Sequence, residues 1–132
     1  MVTLGARWLK FNAVGLIGVA VQLAALAWFA RVLRWHYLMA TAAAVEAAVL
    51  HNFAWHEVWT WKDRRQTAGS RLSRCLRFHM GNGLLSILSN VVLMRLLAGA
   101  LDMPLMWANL VSIAITALLN FAVSEWWVFR PR

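Results

Sequence analysis

Residues Phe11–Ala30 read FNAVGLIGVAVQLAALAWFA, twenty positions without a Lys, Arg, Asp or Glu. A helix needs about 20 mostly apolar residues to cross the hydrocarbon core of a bilayer. Three further stretches repeat the pattern. Trp35–His56 carries a single charge, Glu46, and Phe78–Met94 and Met103–Ser124 carry none. These gaps predict spans at roughly 11–33, 37–59, 78–100 and 104–127. Of the 132 residues, 62% are hydrophobic and 14% charged. That leaves too little polar surface for a water-soluble domain of this size. The expected fold class is an all-α integral membrane protein of four transmembrane helices. Arg7 and Lys10 ahead of the first run resemble the start of a signal peptide. That helix is expected to be retained, because the internal repeat described next needs it as a partner.

The distribution of charge predicts orientation. The formal net charge is +8, which in a soluble protein would suggest nucleic acid. Here the basic residues lie between apolar runs, so membrane orientation accounts for them and no nucleic-acid partner is expected. Arg7, Lys10, Lys62, Arg64, Arg65, Arg71, Arg74, Arg77, Arg130 and Arg132 fall on one side of the predicted spans; Arg31, Arg34 and Arg95 fall on the other. The positive-inside rule then places both termini in the cytoplasm, in a multi-pass protein of the inner membrane. Trp8, Trp55, Trp59, Trp61, Trp126 and Trp127 line the cytoplasmic boundary, and Trp28, Trp35 and Trp107 the outer one. The single Cys75 cannot form an intramolecular disulfide and has no metal-ligand spacing around it.

The two helix pairs resemble each other. Arg7-x-x-Lys10-Phe11 opens the first and Arg74-x-x-Arg77-Phe78 the second. Residues 52–61, NFAWHEVWTW, close the first pair, and residues 120–129, NFAVSEWWVF, close the second. Each pair crosses twice, so the expectation is two parallel two-helix repeats, both entered and left on the cytoplasmic side. The whole chain, 1–132, is read as one transmembrane domain: repeat 1 at about 7–61, a basic loop at 62–77 and repeat 2 at about 74–129.

With these features the chain resembles the GtrA-like membrane proteins from Arg7 to Phe129. The resemblance rests on the basic-Phe openings, the small four-span body and the Asn-Phe…Trp-x-aromatic closures. It implies a part in building cell-surface polysaccharide: moving a polyprenyl-phosphate-linked sugar across the inner membrane. Related domains are fused to polyprenyl-phosphate glycosyltransferases, so the resemblance also implies a second role, as membrane anchor or assembly subunit for such an enzyme. A third expectation, a proton-coupled exporter of small cations, comes from likeness to the small multidrug-resistance proteins.

Polar residues inside the spans are the candidate site. Gln22 on the first helix, Glu46 on the second, Asn82, Ser86 and Asn90 on the third, and Asn109, Thr116 and Asn120 on the fourth are expected to face inward as a substrate path, since unsatisfied polar groups are costly in lipid. The structural alternative is that they bind helices to one another. Glu46 lies deepest, and an intramembrane acid is a functional candidate by default. Lys10, Arg77, Asn52, Glu57 and Glu125, near the cytoplasmic boundary, are expected to contact a phosphate headgroup or form a gate; the alternative is a repeated ion pair of Glu57 and Glu125 with Lys10 and Arg77. His51 and His56 stand about 140° apart on a helix, so they do not suggest one metal ion. No nucleophile–base constellation or phosphate loop is present in the sequence. The expectation is therefore no enzyme, no cofactor and no metal, with membrane lipid, the lipid-linked sugar, a second copy of the chain and a membrane glycosyltransferase as partners.

Overall fold

The computed structural model describes residues 2–132, apart from the side chains at positions 37, 38, 105 and 106. The described residues form four long helices: α1 (Leu4–Val32), α2 (37–60), α3 (Arg71–Ala100) and α4 (105–128). Among them, Leu4–Val32, Arg71–Ala100 and Trp107–Val128 are long and apolar enough to cross a membrane. The chain is an all-α, multi-pass protein of the cytoplasmic membrane. It divides into two compact units, Met1–Arg65 and Gln66–Arg132. In the first, α1 packs against α2; in the second, α3 packs against α4.

Capping residues, and not the apolar stretches, decide where the first helix of each unit begins. Thr3 Oγ1 accepts from the Ala6 N–H at 3.2 Å, and Ser70 Oγ accepts from the Ser73 N–H at 3.2 Å. Each cap satisfies a backbone donor that the first turn leaves open. Both helices therefore start about seven residues before the charge-free runs, at Leu4 and Arg71. Arg71, Arg74 and Arg77, which the sequence places in a connecting loop, form the first two turns of α3.

The helix ends also correspond. Each helix finishes in a widened, π-type turn. After α1, the Leu33 N–H reaches Trp28 O and the Trp35 N–H reaches Phe29 O; after α3, the Leu101 N–H reaches Leu96 O and the Met103 N–H reaches Leu97 O. The turn residues Arg34 and Asp102 have φ of 54° and 50°. This left-handed conformation is uncommon for residues with a Cβ and is tolerated best at single positions that close a helix.

Small residues allow the helices to approach. On α2, Ala40, Ala44 and Ala48 are buried at four-residue spacing; on α4, Ala108, Ser112 and Thr116 are buried at the same spacing. Such stripes let helix backbones come close where lipid supplies no hydrophobic drive. In the first unit α1 and α2 come close at Gly18. A Cβ there would stand 2.2 Å from Asn52 Oδ1. Gly18→Val should therefore push α1 off α2, with a cost of about 1–3 kcal/mol for the overpacking, whereas Gly15→Ala, which meets nothing within 4 Å, should be silent. Unfolding midpoints in mild detergent under added denaturant check the contrast.

Candidate functional site

Charged groups gather where each hairpin opens. In the first unit, Arg7 and Phe11 lie four residues apart and so share one face of α1. Phe11 stacks on the His56 ring at 5.0 Å and meets Trp61 edge-on at 6.1 Å. His56 Nδ1 is 3.0 Å from Thr60 Oγ1. Arg7 Nη2 donates to Asp63 Oδ2 at 2.5 Å, from a side chain only 6% exposed. Glu57, 3% exposed, is buried in the same turn of α2 as His56 and is not without a partner. The π-type turn that ends α2 buries His56, Glu57, Thr60 and Trp61 together.

The second unit builds the same arrangement with different chemistry. Arg74 and Phe78 are buried on α3, and Ser124, Glu125, Val128 and Phe129 are buried at the end of α4. Glu125 is again 3% exposed and engaged. Arg74 donates to Gly69 O. Arg77 donates Nη2 to Ala68 O at 2.5 Å, Nε to Ser73 O at 3.3 Å and Nη1 to Trp127 O at 3.4 Å. Its planar fork thus ties together the start of α3, the segment before it and the end of α4.

The structure places the expected headgroup residues unevenly. Glu57 and Glu125 are buried, Arg77 is committed to three backbone carbonyls, and Asn52 fills the notch at Gly18 and lies 3.1 Å from His51 Nδ1. Lys10 is half-buried and sits over the Trp59 ring, 5.5 Å from its centroid. The buried basic residues that sequence reasoning missed are Arg7 and Arg74. The signal was present: they, and not Lys10 or Arg77, stand one turn before the paired phenylalanines.

Deeper in the second unit, the expected path residues bond across the hairpin. Asn82 Nδ2 donates to Ser124 Oγ at 3.0 Å, Asn120 Nδ2 donates to Ser86 Oγ at 2.7 Å, and the Ser89 and Thr116 hydroxyls meet at 3.0 Å. Three rungs thus join α3 to α4, and Asn90 Nδ2 turns back to Ser86 O at 2.9 Å. The first unit places Gly15, Val19, Gln22, Ala48, Asn52 and His56 at the corresponding points. Gln22 is half-buried, whereas Glu46 and Asn109 are exposed. Glu46 and Glu57 are close to the same azimuth on an ideal helix, yet only Glu57 is buried. Glu57 lies in the closing turn of α2, which is buried with His56, Thr60 and Trp61, whereas Glu46 lies at mid-helix, on the side away from the alanine seam. Among the described residues no three His, Cys, Asp or Glu side chains gather to hold a metal ion.

Residues 10–129 match the family model for the GtrA/DPMS transmembrane domain, and the chain belongs to this family. The model is of a transmembrane domain and not a catalytic one. The chain is 34% identical over 119 residues to a dolichol-phosphate mannosyltransferase of Pyrococcus furiosus, covering 90% of this chain and 32% of that protein. It spans about a third of the length of that relative. It is 28% identical over 107 residues to the cell wall teichoic acid glycosylation protein GtcA of Listeria monocytogenes, covering 75% of this chain and 68% of the other.

The two cations of the opening motif should respond differently to substitution. Arg77→Lys replaces a fork serving three carbonyls with a single ammonium and should lower stability by about 1–3 kcal/mol. Lys10→Arg keeps a cation over an indole and should change stability by less than about 0.5 kcal/mol. Paired unfolding curves of the two variants check this.

Proposed function

We propose that this chain translocates a polyprenyl-phosphate-linked sugar across the cytoplasmic membrane for the synthesis or modification of cell-surface polysaccharide. The observation that carries this reading is Glu46. It is an exposed carboxyl at the middle of a helix otherwise free of charge over Trp35–His56. A membrane anchor has no use for an acid that costs roughly 2.5–3.5 kcal/mol to place at such depth. The substrate class comes from the relatives: one is named for mannosyl transfer involving dolichol phosphate, the other for glycosylating wall teichoic acid. A sugar on a polyprenyl phosphate fits both contexts.

In this reading all four helices span, both termini are cytoplasmic and the two hairpins are parallel repeats. The matching caps at Thr3 and Ser70, the matching turns at Arg34 and Asp102 and the matching buried carboxylates support the repeat. Asn82, Ser86, Thr116 and Asn120 fasten the second hairpin, and Gln22, Glu46, Asn90 and Asn109 meet the headgroup or a second copy of the chain. Arg77, Glu57, Glu125 and Asn52 hold the shape of the cytoplasmic gate, and Lys10 meets the phosphate. The second reading, an anchor or assembly subunit for a membrane glycosyltransferase, is favoured by the threefold greater length of the archaeal relative.

Topology is checked first. A C-terminal GFP fusion should fluoresce and a C-terminal alkaline-phosphatase fusion should be inactive; periplasmic phosphatase activity would overturn the four-span model.

Glu46→Gln separates transporter from anchor. The variant removes an insertion penalty and should express at least as well as the parent. At matched protein level, surface glycan should fall while its lipid-linked precursor persists. Normal surface glycan would return Glu46 to a structural role, and loss of precursor synthesis on deleting the protein would favour the anchor.

A further inference from the structure

Lys10 differs from its counterpart Arg77 in what it touches. Arg77 is buried and spends its donors on three carbonyls. Lys10, among the described residues, has no hydrogen-bond or ion-pair partner; its ammonium lies 5.5 Å from the centroid of the Trp59 ring. Trp59 begins a line of rings along α2. It meets Trp55 edge-on at 6.5 Å, and Trp55 meets His51 edge-on at 6.3 Å. The three stand four residues apart, so each step advances about 6 Å along the helix. Trp55 is 46% exposed and Trp59 41% exposed. The second unit lacks the line: Leu119 and Val123 stand where the first has His51 and Trp55.

An interfacial tryptophan belt requires only that indoles sit at headgroup depth. It does not require them to touch one another in register, nor to end in a cation whose charge is left available.

We propose that Lys10, Trp59 and Trp55 form the docking platform for the phosphosugar headgroup of a polyprenyl-phosphate-linked sugar, on the first unit alone. Lys10 takes the phosphate through a charge-assisted hydrogen bond. The apolar C–H face of the pyranose lies on the indoles, whose rings offer a rigid, electron-rich surface, and the rungs are spaced on the scale of one sugar ring. His51, at the deep end of the line, offers a ring nitrogen to a sugar hydroxyl. The isoprenoid tail stays in lipid beside the exposed apolar residues of α2. The inference rests on the proposed lipid-linked-sugar function and adds which cation, which unit and which rings make first contact.

The test uses the full chain in nanodiscs of zwitterionic phospholipid, with binding read by native mass spectrometry. Three probes are titrated: a polyprenyl-phosphate hexose, the same polyprenyl phosphate without sugar, and phosphatidylglycerol. Lys10→Gln should weaken both polyprenyl phosphates by about tenfold, and Lys10→Arg should restore them. Trp55→Leu and Trp59→Leu should weaken the sugar-bearing probe by about fivefold or more and leave the sugar-free one within about twofold. Trp126→Leu, which removes an indole 61% exposed in the second unit, should change neither. Parental binding of the sugar-bearing probe by the Lys10→Gln and Trp59→Leu variants would overturn the platform while leaving the proposed function standing. Equal competition by phosphatidylglycerol would reassign the surface to bulk anionic lipid and overturn it too. If Trp126→Leu weakened binding as much as Trp59→Leu, the rings would be structural and the platform lost. Failure of the parent to bind either polyprenyl phosphate would remove the platform and the proposed function together.

Discussion

Hydrocarbon offers no hydrogen-bond partner, and every feature of this chain answers to that constraint. Backbone groups are satisfied inside helices because no other spanning element can satisfy them singly. The groups that helices leave open at their ends are met by Thr3, Ser70 and the widened closing turns. Some polar side chains within the helices find one another, as Ser89 and Thr116 do, and some are exposed, as Glu46 and Asn109 are. The first kind binds the hairpin. The second kind is what distinguishes this chain from a set of inert apolar rods.

The same constraint shapes the charged end of each unit. A buried guanidinium is costly unless it is paired or hydrogen-bonded. Arg7 against Asp63, and Arg74 and Arg77 against backbone carbonyls, are therefore structural commitments as well as charges. Aromatic cover follows from this. Phe11, His56 and Trp61 close over the first cluster, and Phe78 and Phe129 are buried at the second. Lys10 and Arg77 occupy the same position, one residue before the paired phenylalanine, so helix azimuth does not set them apart: the Arg77 fork reaches the carbonyls of Ala68, Ser73 and Trp127, whereas the Lys10 ammonium lies over the Trp59 ring.

Much of this was legible in the sequence. Charge gaps revealed the four helices because a membrane span must be apolar along its length, and the family resemblance rested on the same spans and their flanking motifs. Helix starts were not legible from the gaps, since capping by Thr3 and Ser70 extends α1 and α3 beyond the apolar stretch. The pairing of Glu57 and Glu125 with Lys10 and Arg77 was read from proximity in the motif, but proximity does not say which cation turns inward; that depends on which carbonyls and rings the fold brings near. Polar stripes on α3 and α4 were visible as stripes. Whether they face a path or one another depends on helix register, which no single stripe contains. The small-residue seam Ala40, Ala44, Ala48 and its counterpart Ala108, Ser112, Thr116 was present at fixed offset in the sequence, but only its polar members drew notice, as part of a stripe, because the alanines carry neither charge nor a hydrogen-bonding group.

The two seams differ in their resistance to shear. Displacing α3 along α4 by one helical turn would break all three side-chain rungs at once, and in hydrocarbon none could be replaced by water. The second hairpin is thus locked in register. Along the first, α2 presents methyl groups at Ala40, Ala44 and Ala48, and sliding is opposed by the notch where Gly18 receives Asn52 and by Phe11 seated against His56 and Trp61. The second hairpin thus holds its register through hydrogen bonds that must break together, as engaged teeth do, and the first through interlocked shape, as a dovetail does.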